Sequence, residues 1–415
     1  MSGPGAGLLL RAAGHRHGVV AHPMVIPTTM SDLPGIWHAS VLGRFDEGNP
    51  PAGGVGLSRA AAETAALGEA LERYAAATCL LTRVPRAQCV PAELLPLESF
   101  SLFDEAQQAQ DGFPFADLYG AGAGELEYTD VFSLVDNSRR RAPAFLVGLS
   151  GAPHGIATSS GLAAGPSRPR ALLRALQELV ERDALMTTWN HCLPGRRVAL
   201  GSRWRELIDP LGGRVWAFDL TPLYSPHPVA AVCGSLPARG RPRIAIGSAC
   251  RASWAEAVDK AFLEWAQGIL FAGFFLARNP GKRFRDGTEV LTFEDHAAYY
   301  SVHPERWERV PLHDKSFSAP PPPDSPDSQA PAAEQLEALV SALAAQGIGL
   351  YYRDLTPLDL EQAGVAVVRV LSADLAPIHT DQRWPFIGGR SRELAWRYSL
   401  TPEGPFPNPL PHPLG

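Results

Sequence analysis

Three stretches of the chain carry the helical pattern most strongly. Residues 59–79, RAAAETAALGEALERYAAATC, are rich in alanine and leucine, contain no proline and hold Gly68 as their one glycine. Such a run favours an α-helix, and Ser58 stands where it would cap one. Pro169 to Trp189 predicts a second long helix, and Ser253 to Phe274 a third. Shorter apolar and β-branched runs predict strands. EYTDVFSLV and then APAFLVGLS form a β-region in the first half, followed by RVWAFDLT, PVAAVCGS and RIAIGSAC; GLYYRDL and VAVVRVL follow a further helix, EQLEALVSALAAQ. A short strand is expected near 16–26, within residues 1–50 that are otherwise loop-rich. Long helices mixed with partly consecutive strands predict an α+β (mixed α/β) fold, with the helices packed on β-sheets, rather than a doubly wound parallel sheet.

Charge refines this picture. Residues three and four apart share a helix face, so Glu69, Glu72 and Arg73 lie together, as do Glu178, Glu181 and Arg182, and Lys260, Glu264 and Gln267. The first two sets repeat the pattern ExxER, a weak internal echo. An acidic pair in a mostly apolar helix is either partnered or binds a cation. Converging carboxylates with basic groups suit Mg2+, which prefers oxygen ligands shared with phosphate. One such motif alone reads equally as an intrahelical salt bridge. Three helices of the same character favour a shared site, although spacing does not decide it. There is no GxxxxGK[ST] and no GxGxxG after a strand; GGVG at 53–56 and SSGLAAG at 159–165 are glycine-rich approaches to helices where backbone N–H groups can meet phosphate.

Composition narrows the partners. The 415 residues carry a net charge of −6 with no basic stripe, which argues against nucleic acid. No run of 18 apolar residues predicts a membrane span. The first residues hold only a three-leucine run, too short for a signal peptide, so a cytoplasmic protein is expected. Five scattered cysteines without a CxxC pair predict free thiols. KSFSAPPPPDSPDSQAPAA at 315–333 predicts a flexible insert. The end alternates Pro405, Pro407, Pro409, Pro411 and Pro413, a pattern that stiffens the tail 405–415.

The segments GLSRAAAETAALGEALERYAA from residue 56, SSGLAAGPSRPRALLRALQELVERDALMTTW at 159–189 and GSACRASWAEAVDKAFLEWAQG at 247–268 together resemble the YcaO family. The resemblance implies residues 1–50 as an extension and 51–415 as one catalytic domain that binds ATP and Mg2+ without a P-loop. It implies a nucleotide site of Glu69, Glu72, Arg73, Ser160, Glu178, Glu181, Arg182, Lys260 and Glu264, with the five glutamates near metal. The chain departs from the family pattern at Ala65 (serine is usual), Ser160 (asparagine) and Lys260 (arginine).

The implied reaction is ATP-dependent cyclodehydration of a ribosomally made precursor peptide. A Cys, Ser or Thr side chain attacks the preceding carbonyl, the amide oxygen is phosphorylated, and phosphate leaves to give a thiazoline or oxazoline. The proline tail resembles those of azoline-forming members, which would bring Pro411, His412, Pro413 and Gly415 to the reacting amide. WPFIGGR at 384–390 resembles a late family segment in which Arg390 either positions the tail or makes a turn. The resemblance further implies a separate E1-like or Ocin-ThiF-like leader-binding partner and a homodimer. Thioamide or amidine formation, or a non-catalytic binding subunit, remain as alternatives.

Overall fold

The computed structural model describes residues 9–14, 18–27, 33–42, 52–149, 156, 158–238 and 241–415. Three sheets are present among them. Strands β1 (Met24–Ile26), β2 (Trp37–Val41) and β3 (Ala52–Gly56) form an antiparallel sheet. A second sheet joins β4 (Val84–Pro85), β5 (Glu127–Ser133), β6 (Arg139–Pro143), β7 (Leu162–Gly165), β13 (Tyr351–Asp354) and β14 (Ala366–Leu371). The third runs in the order β11 (Arg243–Cys250), β10 (Val229–Leu236), β9 (Arg214–Asp219), β8 (Arg196–Val198) and β12 (Phe317–Ser318). The mixed α/β architecture matches the expectation from the sequence.

The three long helices are α1 (Arg59–Thr78), α2 (Arg168–Asn190) and α3 (Trp254–Arg278), followed by α4 (Phe293–Val302) and α5 (Ala332–Ala345). Each of the first three begins two or three residues after a strand and has a serine at its N-cap: Ser58, Ser167 and Ser253. Ser58 accepts a hydrogen bond from the Ala61 amide, as a capping serine should. Glycines let these helices lie flush on their strands. A Cβ at Gly54 would come within 2.2 Å of the Ala62 carbonyl oxygen, and one at Gly247 within 2.2 Å of that of Ala261.

The three strand–helix units close on one another. Helix α1 packs on β3 and β7, α2 on β7 and β11, and α3 on β11 and β3. Each helix therefore touches its own strand and the strand of the next unit. The ExxER echo in the sequence is part of a threefold internal arrangement.

Four expectations change. The strand expected over APAFLVGLS is split: β6 ends at Pro143 and a short helix, Ala144–Val147, follows. The small-residue segment before α2 contains β7. The boundary at residue 50 divides a sheet, because β2 pairs with β3. The strand expected near 16–26 is β1, three residues long, and residues 15–17 lie outside the described residues.

The proline-rich segment 315–333 is docked rather than flexible. β12 pairs with β8, the Ser325 amide donates to the Ala252 carbonyl, and Asp324 accepts from the Trp254 amide at 2.7 Å, so it caps α3. Local polar anchors at Asp324 and Ser325 override the composition. Helix α3 is long and apolar enough to cross a membrane by length and composition, but it packs on β11 and β10 and carries the Lys260–Glu264 ion pair.

Candidate active site

The glutamates occupy equivalent places in the three units. Counted from the capping serine, position 11 of each helix is Glu69, Glu178 or Glu264, and position 14 is Glu72, Glu181 or Gln267. The position-14 side chain reaches the strand of the next unit each time. Glu72 accepts from the Ala164 amide on β7 at 2.8 Å. Glu181 accepts from the Ser248 hydroxyl on β11 at 2.7 Å. Gln267 lies against Gly53 on β3, where a Cβ would sit 2.6 Å from its amide nitrogen. Position 11 stays with its own unit: Glu69 accepts from the Gly53 amide at 2.8 Å, and the Gly161 amide favours the charged form of Glu178.

The result is a cluster of carboxylates among the three helices, with Glu181 buried and the other four half-buried. Burial raises Glu72 well above the ordinary carboxylate range, and Glu178 and Glu69 add repulsion. Burial also raises Glu178, with Glu264 opposing its charge. Glu181 is pushed up to about 8 by burial and by Glu264. Like charges this close disfavour one another's ionised form, and a bound cation would relieve that repulsion.

Three cations pair with the position-11 glutamates. Arg73 pairs with Glu69 at 2.5 Å, Arg182 with Glu178 at 3.4 Å and Lys260 with Glu264 at 3.2 Å. Burial opposes the charge of Arg182, yet Glu178, Glu181 and Glu264 outweigh it and raise its pKa.

Arg369 is a site residue that sequence reasoning missed. It lies on β14, is 4% exposed and has no hydrogen-bond partner for Nε or Nη1 among the described residues. Burial lowers it to about 10, against the attraction of Glu178. The available signal was one arginine in the apolar strand VAVVRVL. Arg369 and Ser160 line a small cleft together with Phe100, Ile156 and Leu179. An unpaired guanidinium facing a cleft beside crowded carboxylates is complementary to a phosphate–divalent metal pair. Mg2+ with a nucleotide therefore fits the residues present.

The tail is docked against the core. Pro411, His412 and Pro413 are buried and Gly415 is exposed. The Trp189 indole donates to the Leu410 carbonyl at 2.8 Å and the Tyr300 hydroxyl to the Pro411 carbonyl at 2.7 Å. The His412 ring stacks on His296 at 3.8 Å and is buried. The charge of Arg182 is felt at His412, which relates the docked tail to the carboxylate cluster. Arg390 is engaged in local structure: it lies over Trp396 and pairs with Glu393 and Asp374. The five cysteines are free, and burial raises the thiols of Cys79, Cys192, Cys233 and Cys250.

A family model described as YcaO cyclodehydratase, ATP- and Mg2+-binding, matches residues 53–376. No curated protein matches the sequence. Among solved structures, a heterocyclase in complex with substrate and cofactor aligns at a TM-score of 0.73 and 18% identity, over 98% of this chain and 57% of its own. YcaO from Methanopyrus kandleri, bound with AMPPCP and Mg2+, aligns at 0.61 and 19% identity, over 86% of each chain. The E. coli microcin synthetase McbBCD complex with pro-MccB17 bound aligns at 0.61 and 13% identity, over 85% of this chain and 88% of the other. These likenesses show the fold. The chain spans little more than half the length of the first of these structures.

Proposed function

The chain belongs to the YcaO family, and from that premise we propose that it is an ATP- and Mg2+-dependent cyclodehydratase acting on Cys, Ser or Thr residues of a ribosomally made precursor peptide. The observation that carries this reading is the carboxylate cluster, in which burial and like charge raise Glu72, Glu178 and Glu181, with Arg369 Nε and Nη1 unpartnered among the described residues beside it. Glu69, Glu72, Glu178, Glu181 and Glu264 would hold Mg2+. Arg182, Arg369 and Lys260 would neutralise phosphate, and Ser160 would hydrogen-bond in the cleft. Bound ATP supplies a phosphoryl group that turns the peptide oxygen into a leaving group.

The residues of the chain do the placing. Glu72 and Glu181 are held by Ala164 and Ser248 of neighbouring units, so the cluster keeps its shape when a cation replaces the protons. Ala65 leaves one hydrogen bond of the family pattern unmade, and Lys260 supplies a point charge where a fork is usual. The docked tail would shape the site beside Arg182. A separate leader-binding protein would deliver the precursor, and the enzyme would act as a homodimer.

The test combines the chain with ATP, Mg2+, a ThiF-like partner and a Cys/Ser/Thr-rich precursor encoded beside its gene. Mass spectrometry should show one water lost per ring formed, together with release of phosphate. Glu181→Ala should abolish both while its circular dichroism spectrum matches that of the wild type. Exchange of oxygen for sulfur would indicate thioamide formation instead. An absence of ATP turnover would mean a binding subunit, and full activity of Glu181→Ala would sink the site assignment.

A further inference from the structure

Away from the carboxylates, three buried histidines from three separate parts of the chain meet at one point. His296 is on α4, His379 is in the connection that follows β14, and His412 is in the tail. One ring nitrogen from each lies within 4.8 Å of the others. His379 stands edge-on to both partners, at ring separations of 4.7 and 5.6 Å.

The hydrogen bonds divide the ring nitrogens into two sets. On every ring Nε2 faces an oxygen acceptor: His296 the Thr380 carbonyl at 2.9 Å, His379 the Gln382 side chain at 3.1 Å, and His412 the His379 carbonyl at 2.8 Å. Those bonds place the proton on Nε2 of His379 and of His412 and leave their Nδ1 atoms as lone pairs, whereas His296 faces a carbonyl with both nitrogens. Nδ1 of His379 and Nδ1 of His412 are buried with no hydrogen-bond partner among the described residues. Nδ1 of His296 stands 2.9 Å from the His412 carbonyl oxygen. A neutral imidazole has one N–H, so only one of the two carbonyls facing His296 receives a hydrogen bond, and with the proton on Nε2 the Nδ1 lone pair and the His412 carbonyl oxygen are both left to a cation. Protonation is a poor remedy, because burial holds His296 down at about 4 and His379 at about 3.

Metal-bound histidines show this division: one nitrogen on the metal and the other donating to a carbonyl or side-chain oxygen, which fixes the tautomer. We propose that His296, His379 and His412 form a binding site for a divalent transition-metal ion of the zinc class, with the His412 carbonyl oxygen placed as a further ligand. Imidazole nitrogens suit zinc, copper and nickel rather than Mg2+. Nitrogens around tetrahedral zinc stand about 3.3 Å apart, so on binding the rings close in by roughly an ångström and the stacked His296 and His412 rings tilt apart from parallel to bring both lone pairs to the ion. Because the ligands come from α4, the connection and the tail, the ion would pin residues 408–414 to the core. The site stands on the histidine geometry and is independent of the nucleotide reading.

The test uses the full chain, stripped with a chelator and titrated with Co2+ or Zn2+ alone. We expect one equivalent bound, with the intense visible absorption of low-coordinate Co2+ that Zn2+ bleaches. His379→Gln should weaken binding by more than about 100-fold, since loss of a direct ligand exceeds the 10–100-fold cost of losing an outer partner. Glu181→Ala should leave the titration unchanged, which separates this site from the carboxylates. X-ray absorption on the zinc-loaded wild type should find imidazole nitrogens at about 2.0–2.1 Å, and this readout needs no variant to fold. No stoichiometric binding, an oxygen-only shell, or unaltered affinity in both His379→Gln and His296→Gln would overturn the proposal.

Discussion

Glu181 is 5% exposed, accepts a hydrogen bond from Ser248 and is pushed up to about 8 by burial and Glu264. Its folded pKa is thus above the ordinary 4.5, so the folded state binds the proton more tightly than the unfolded chain. The stability this contributes is complete below the unfolded value and is lost as pH rises through the folded one. Without nucleotide, the protein should therefore become less stable from about pH 5 to about pH 9. Stabilisation by Mg2+ and ATP should grow over the same window, because the metal takes the place of the proton. Thermal melts with and without Mg2+–ATP check both slopes, and Glu181→Gln should flatten them; identical profiles for variant and wild type would refute this account. At this scale the five glutamates, Arg182 and Lys260 were legible, because charges on an apolar helix face stand out. Arg369 was not, because β14 brings it to the cluster from the far end of the sequence, where one charge in a strand signals nothing about its neighbours.

The elements that bear the site are strand–helix units, and their glycines set how closely helix and strand approach. Gly54→Ala would place a methyl 2.2 Å from the Ala62 oxygen and 2.3 Å from the Ala66 nitrogen. Both contacts are backbone, so α1 itself must move. We expect a loss of about 3 kcal/mol, together with loss of nucleotide-induced stabilisation, because Glu69 and Glu72 move with the helix. Gly68 lies on the same helix with nothing within 4 Å of its would-be Cβ. Gly68→Ala should therefore stabilise by about 0.5–1 kcal/mol, through helix propensity alone. Chemical denaturation measures both, and equal effects of the two substitutions would refute the close-packing account. The long helices were legible from composition and period. The sheet of β1, β2 and β3 was not, because AGGVG reads as a loop: its glycines serve the approach of α1 and Gln267 rather than strand propensity. The docked segment 315–333 was hidden for the opposite reason, since its composition is that of a linker and its order rests on a few anchoring bonds.

In the whole molecule, the tail joins regions far apart in sequence. Trp189 lies in the last turn of α2, which carries Glu178 and Glu181, and Tyr300 lies on α4 beside the histidines; both donate to tail carbonyls. Asn408 adds bonds to Trp189 and Asn190. The tail is thus a structural continuation of α2, and Arg182 acts electrostatically on both the cluster and His412. Replacing Trp189 and Tyr300 together by phenylalanine keeps apolar rings but leaves two buried carbonyls unpaired, at about 1–3 kcal/mol each. Hydrogen exchange should then rise at Asn408 and Leu410 while α1 and α3 stay protected, since neither helix contacts the tail through these bonds. If the tail shapes the reacting site, azoline formation should fall at least about tenfold, the equivalent of 1.4 kcal/mol, with Mg2+–ATP stabilisation retained. Faster exchange in the tail with undiminished product would show that its docking serves stability and not the chemistry. Slow product with the tail still protected would place the defect in α2 instead.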